Sequence, residues 1–139
     1  MPKPKTISRL KDVLTFLEMP GHLLRRCQQI AVAVFLEECQ AYELTPPQFA
    51  TLATLAAHGP LDKATIGRIA ALDRTTMSVV LGNLRDRGLV TTEPSEHDKR
   101  AKSNEITAAG LSVLAAAQPN AAHAQERLLA PLTPAERTE

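Results

Sequence analysis

One helix-start signal recurs four times between Leu44 and Leu111, and it leaves little freedom in how this stretch can fold. Each instance sets an apolar residue before a capping residue and a second apolar residue four positions after the cap. The pairs are Leu44-Thr45 with Phe49, Leu61-Asp62 with Ile66, Leu72-Asp73 with Met77, and Ile106-Thr107 with Leu111. The capping oxygen accepts from a free N–H of the first turn while the apolar pair closes over it. Each signal therefore sets both a helix start and the angle at which the chain enters it. Thr45-Pro46-Pro47-Gln48 adds a capping box with proline at the first helical position. Gly59-Pro60 ends the first of these helices and Gly88 the third.

The interval between the third helix and the fourth reads as a hairpin. Leu89, Val90, Thr91 and Thr92 favour a strand, Pro94 to Asp98 is rich in turn residues, and Lys99, Arg100 and Lys102 would stand on an exposed tip. Three tightly connected helices followed by a hairpin make the winged variant of the helix-turn-helix. On the third helix Met77, Val80, Leu81 and Leu84 form an inward stripe, while Thr75, Val79, Gly82 and Asp86 centre the opposite face. Arg74, Thr76, Ser78 and Asn83 flank that outer face. Its N-terminal half thus offers hydroxyls, a guanidinium, a small apolar group and the positive end of the helix dipole, a set suited to phosphates and base edges. Taken alone, the helix reads equally as an amphipathic surface helix; the cationic hairpin beside it favours DNA.

The residues also match a family. R-G-L-V at Arg87–Val90, a short acidic turn, H-D-K-R-A at His97–Ala101 and I-T-A-A-G at Ile106–Gly110 resemble MarR-type transcription regulators, and the resemblance extends over Leu44 to Leu114. It implies a mainly α fold with a small β-hairpin wing, a winged helix-turn-helix core flanked by N- and C-terminal dimerisation helices. It further implies a homodimeric, sequence-specific repressor that binds double-stranded DNA at an inverted repeat and is released by a small aromatic acid or phenol. On this reading the DNA-binding residues are Arg74, Thr75, Thr76, Ser78, Val79 and Asn83 on the helix, with Asp98, Lys99 and Arg100 on the wing. Arg100 would enter the minor groove and Asp98 orient it. Two places depart from the family pattern: Thr91-Thr92 stands where a basic residue is common, and the returning strand reads Ser103-Asn104-Glu105-Ile106 instead of Leu- and Val-rich.

The 139 residues fit one domain or one small domain with helical extensions. Aromatics are only 3%, so Ala and Leu must do the packing, which favours helices. Net charge is +1, so any polyanion signal lies in the distribution. Asp62 to Lys102 holds eight basic residues against six acidic ones, and Lys3, Lys5, Arg9 and Lys11 have no acid among the first 11 residues. The absence of a run of about 20 apolar residues or of a signal core points to a cytoplasmic protein with no membrane segment. Two cysteines without a CxxC spacing agree with a reducing compartment.

Three regions are expected: an N-terminal arm and dimerisation helix over 1–44, a DNA-binding lobe over 45–107, and a C-terminal dimerisation region over 108–139. Leu10, Val13, Leu14 and Leu17 predict a helix over Ser8–Glu18 that Pro20-Gly21 stops, and a long helix follows from His22 to Glu43. Its broad apolar face, including Leu23, Leu24, Cys27, Ile30 and Phe35, suits burial against several neighbours and a partner subunit. Pro119 is expected to kink or interrupt the C-terminal helix. Thr133-Pro134-Ala135-Glu136 is a further capping box, and the final helix it would open is expected to be missing from this chain.

His22, Arg26 and Gln29 share a stripe of the long helix and could hold an anionic ring, with Phe49 and His58 contributing from the next helix. The same stripe runs on to Glu37 and Gln40, as a solvated face would. Cys27, on the apolar face, reads as an inert buried thiol, with thiol-based redox sensing as the alternative. A winged-helix module for protein contact is the other. The four histidines lack ligand spacing and no phosphate loop or nucleophile motif occurs, so neither metal, cofactor nor enzymatic activity is expected.

Overall fold

The computed structural model describes residues 15–95 and 102–139. It is mainly helical with one two-stranded sheet: α1 (Pro20–Glu38), a 3₁₀ turn (Gln40–Tyr42), α2 (Pro46–His58), α3 (Lys63–Ala70), α4 (Arg74–Asp86), β1 (Val90–Pro94), β2 (Lys102–Ile106) and α5 (Ala108–Leu129). Asp98, Lys99 and Arg100, and most of the expected Ser8–Glu18 helix, lie outside the described residues.

All four cap signals form. Thr45 and Gln48 exchange both capping-box bonds, at 3.1 and 3.4 Å. Asp62 accepts from the Thr65 N–H at 3.1 Å, Asp73 from Thr76 at 2.8 Å, and Thr107 from Gly110 at 3.0 Å. Three staples bury at least one partner: Leu44, Ile66 and Met77 are 2% exposed or less. The fourth does not close as expected. Ile106 packs on the core while Leu111 is 48% exposed. The cap alone starts that helix.

The main core lies inside the lobe, where Leu52 and Leu55 of α2, Ile66 of α3, and Met77, Leu81 and Leu84 of α4 are nearly inaccessible. Leu89, Val90, Leu114 and Ala117 extend it to the hairpin and α5. Gly110 permits that junction: a Cβ there would lie 2.3 Å from the Leu89 carbonyl oxygen. A smaller cluster, Phe35, Cys39 and Ala121 with Phe49 against it, joins α1 to α5. Beyond Gly110 and Leu114 the buried residues of α5 are Ala117, Ala121 and Ala124, and their small side chains let α1 approach closely.

Several boundaries differ from expectation. α1 begins at Pro20, not His22, because proline suits the first helical position, where its missing N–H has no partner to lose. It ends at Glu38, not Glu43: the chain tightens into the 3₁₀ turn and leaves through Glu43 at φ 53°. Three side-chain bonds stabilise that exit. Asn120 donates to the Glu38 carbonyl at 2.7 Å, and Arg87 donates to the carbonyls of Glu43 at 2.8 Å and Tyr42 at 3.0 Å. α5 runs through Pro119 without interruption; the proline and Ala115, whose carbonyl loses its partner, are both on the exposed side. Cys27 is exposed instead of buried, and Cys39 is the buried thiol. The reason is that the apolar face of α1 stays open in the single chain, with Leu24 71% and Ile30 49% exposed. Thr133 and Glu136 make both bonds of their capping box, at 2.7 and 3.3 Å, around a single turn.

Two glycine substitutions should separate packing from propensity. Gly110→Ala is expected to destabilise by at least about 2 kcal/mol, as overpacking against backbone does. Gly82→Ala, within α4 and with nothing within 4 Å of the added carbon, should stabilise by about 0.5–1 kcal/mol. Urea midpoints moving in the same direction for both would contradict this account.

Candidate nucleic-acid interface

α4 is held at its start by Asp73 and at its approach by a turn that glycine makes possible. The Leu72 N–H donates to the Gly67 carbonyl at 2.8 Å, and a Cβ on Gly67 would lie 2.9 Å from the Leu72 oxygen. Ala71 takes up the reversal at φ 56°. The Thr76 N–H, and then its hydroxyl, hold the Asp73 carboxyl below its ordinary value of 3.8. That stabilisation is present above the ordinary value and is lost as pH falls through the depressed one.

With Met77, Val80, Leu81 and Leu84 buried, α4 turns the opposite face outward. Val79 is 58% exposed, and Arg74, Thr75, Ser78 and Asn83 are exposed around it. Thr76 is half-buried, and its hydroxyl donates to Asp73 at 2.7 Å, so it serves the cap. Ser78 donates to the Arg74 carbonyl at 3.1 Å and accepts from Lys63 Nζ at 3.0 Å. Gly82 leaves the centre of the face open.

The hairpin is in regular antiparallel register from Val90↔Ile106 to Pro94↔Lys102, with Leu61 bridged to Asn104 on its other side. Asn104, 2% exposed, organises this corner. Its backbone exchanges two bonds with Leu61, at 2.8 and 3.0 Å, and its Nδ2 donates again to the Leu61 carbonyl at 3.1 Å. Its Oδ1 accepts from the Thr92 hydroxyl at 2.7 Å, which itself accepts from Arg85 Nη1 at 3.0 Å. Thr92 and Asn104 fall within the two stretches where the sequence departs from the family pattern, Thr91-Thr92 and Ser103–Ile106, and they face each other across the sheet. Strand alternation from Ile106 would have marked Asn104 as inward-facing.

The expected ligand-binding residues have different surroundings. His22 Nδ1 lies 3.3 Å from Arg25 Nη2, and its ring centroid lies 4.8 Å from that of Phe16. Arg26, Gln29 and His58 are exposed. Phe49 packs edge-on against Phe35 at 5.5 Å. A separate, largely apolar cavity of about 500 Å³ lies on the seam between α1 and the lobe, where Gln28, Val32 and Leu36 face Pro46, Ala50 and Leu72. None of the five lines it. Burial pushes the Cys39 thiol up, away from the reactive thiolate. No described helix is long and apolar enough to cross a membrane.

Residues 42–101 match the model of the MarR family. The transcriptional repressor NicR of Pseudomonas putida is 34% identical over 120 residues, covering 86% of this chain and 76% of that one. BpsR of Bordetella bronchiseptica, whose DNA binding is regulated by 6-hydroxynicotinic acid, is 30% identical and superposes with a TM-score of 0.83 over 88% of each chain. The repressor CouR, solved on a 23-mer DNA duplex, is 28% identical with a TM-score of 0.79 over 88% of this chain and 87% of that one.

Asn104→Ala, which leaves the second Leu61 bond and the Thr92 hydroxyl without their partner, should cost about 2 kcal/mol or more. Thr92→Val should cost less, because it spares the bonds to Leu61. Equal losses in urea denaturation would place the weight elsewhere.

Proposed function

The chain belongs to the MarR family of winged helix-turn-helix transcription regulators, and from that premise we propose that it is a homodimeric, ligand-responsive repressor of an inverted-repeat operator. The observation that carries this is the outward face of α4, where exposed Val79 is ringed by Arg74, Thr75, Ser78 and Asn83 on a helix fixed at its start and on its inner side. Two such helices related by a dyad would enter successive major grooves about 34 Å apart. Arg74, Thr75 and Asn83 contact bases or neighbouring phosphates, and Val79 suits a thymine methyl. Thr76 and Ser78 act through the cap and through Lys63. Asp98, Lys99 and Arg100 keep the wing roles that the family resemblance implies. The open apolar residues of α1, together with Phe16, Leu17 and Met19, support a second copy as their cover.

The effector we propose is a small aromatic or heteroaromatic acid in the seam cavity, since BpsR responds to 6-hydroxynicotinic acid and this cavity touches both α1 and the turn before α4. Along α1, Arg25 falls about 60° from the cavity-lining Gln28, whereas Arg26 falls about 160° away. Arg25 is therefore the better placed guanidinium for the carboxylate, with His22 beside it. An occupant that fits only one spacing of α1 and the lobe needs a coupling of just about 1–3 kcal/mol.

Selection from a random duplex pool should return an inverted repeat with half-sites about one helical turn apart. Titrating that complex with 6-hydroxynicotinic acid and substituted benzoic acids should release the DNA for at least one of them. Arg25→Gln should need at least about tenfold more acid, the loss expected for a charge-assisted hydrogen bond, while operator affinity stays close to that of the unmodified chain. An enriched operator that no acid releases would remove the effector and leave the DNA reader. Recovery of no sequence from a folded dimer would remove the reader itself.

A further inference from the structure

Beside the reading face of α4, on the flank toward the hairpin, the surface folds into a polar groove of about 430 Å³. Three elements supply its cations: Lys63 from the first turn of α3, Arg85 from the last turn of α4, and Lys102 from the start of β2. Ser78, Thr92 and Asn104 complete its polar lining. Among the described residues the only carboxylate at its edge is Asp62, whose two oxygens accept from the N–H and hydroxyl of Thr65. Lys63 donates to Ser78 and Arg85 to Thr92, both neutral acceptors. Among the described residues none of the three cations forms an ion pair. Their charge is thus gathered in one recess, with no ion pair to a described residue.

The geometry of a duplex says what belongs in such a place. A sugar-phosphate strand always separates a major groove from the adjacent minor groove. If α4 occupies the first and the wing the second, that strand must cross the surface between α4 and the hairpin, where this groove runs. We propose that the groove seats the DNA backbone strand between the two, with Lys63, Arg85 and Lys102 as its phosphate contacts. The inference rests on the DNA-binding reading above and assigns it a site outside the base-reading face. Thr92 then has a defined part. It carries no charge itself, but it fixes the guanidinium of Arg85 over the groove and is fixed in turn by Asn104. Ser78 does the same for Lys63.

Phosphate contacts carry no sequence information, and each one releases condensed counterions. Lys63→Gln, Lys102→Gln and Arg85→Gln should therefore weaken binding to the selected operator and to an unrelated duplex by the same factor. Each substitution removes two contacts from the homodimer and should lower the slope of log affinity against log salt by about 1.8, so that raising salt from about 50 to 200 mM costs about twelvefold less affinity than in the unmodified chain. Lys63→Arg should restore the slope. A second measurement needs no variant: operators carrying one neutral methylphosphonate at a time should bind the unmodified chain more weakly when the modified linkage lies on the strand between the α4 groove and the wing groove. Lys63→Gln and Lys102→Gln should each be indifferent only at the linkage that its own side chain contacts. Unchanged slopes in all three folded variants, or a loss confined to the operator, would overturn the groove assignment while leaving the DNA reader intact. An unmodified chain that binds no duplex would remove both.

Discussion

A buried carboxamide must find partners, because leaving it unpaired costs about 1–3 kcal/mol. Asn104 finds them by joining segments far apart in sequence: Leu61 ahead of α3, Thr92 on the opposite strand and, through Thr92, Arg85 on α4. The sheet has only two strands, too few to be independently stable. Its added bridge to Leu61 and its contact with the lobe core through Val90 make it part of a larger unit. The position of the hairpin relative to the outer face of α4 follows from how this one amide is satisfied. So does the shape of the groove between them.

Most of the lobe was legible because its signals are local. A cap and its helix lie within four residues of each other, so Thr45, Asp62, Asp73 and Thr107 could be read without knowing the fold. The inward stripe of α4 was legible for the same reason. Errors gathered where a distant residue decides. α1 stops at Glu38 because Asn120 and Arg87 supply donors for the carbonyls at its exit, and neither is visible from the neighbourhood of Glu38. Cys27 was assigned to a buried face that the single chain leaves open. The groove cations come from three elements that are adjacent only after folding. Nothing local distinguishes Lys63 from any other lysine in a first helical turn.

The expected ligand-binding stripe and the seam cavity fall on different stripes of α1 for a related reason. His22, Arg26 and Gln29 share a helical stripe, but the seam cavity lies under the stripe through Gln28, Val32 and Leu36. Helical spacing tells which residues stand together and not which stripe meets the lobe. That is decided by the packing of α1 along α5, where Phe35 and Cys39 fill the space beside Ala121. Salt bridges from Arg127 to Glu37 and Glu38, at 3.0 and 2.9 Å, lie at the same end of α1. They are solvent-exposed to differing degrees and add little to stability by themselves.

The joint between α1 and the lobe is fastened to main chain. Arg87 grips the carbonyls of Tyr42 and Glu43, and Asn120 grips that of Glu38. Carbonyls are the same on every residue, so these three bonds do not depend on which side chains occupy positions 38 to 43. Some of those positions, with Leu36 and Thr45, also line the hollows at the seam. A lineage of such chains is therefore free to remodel the exposed side chains that line the seam, one at a time, without losing these main-chain bonds to the DNA-facing half. Chemical preference and mechanical connection can drift apart in evolution because different atoms of the same residues supply them.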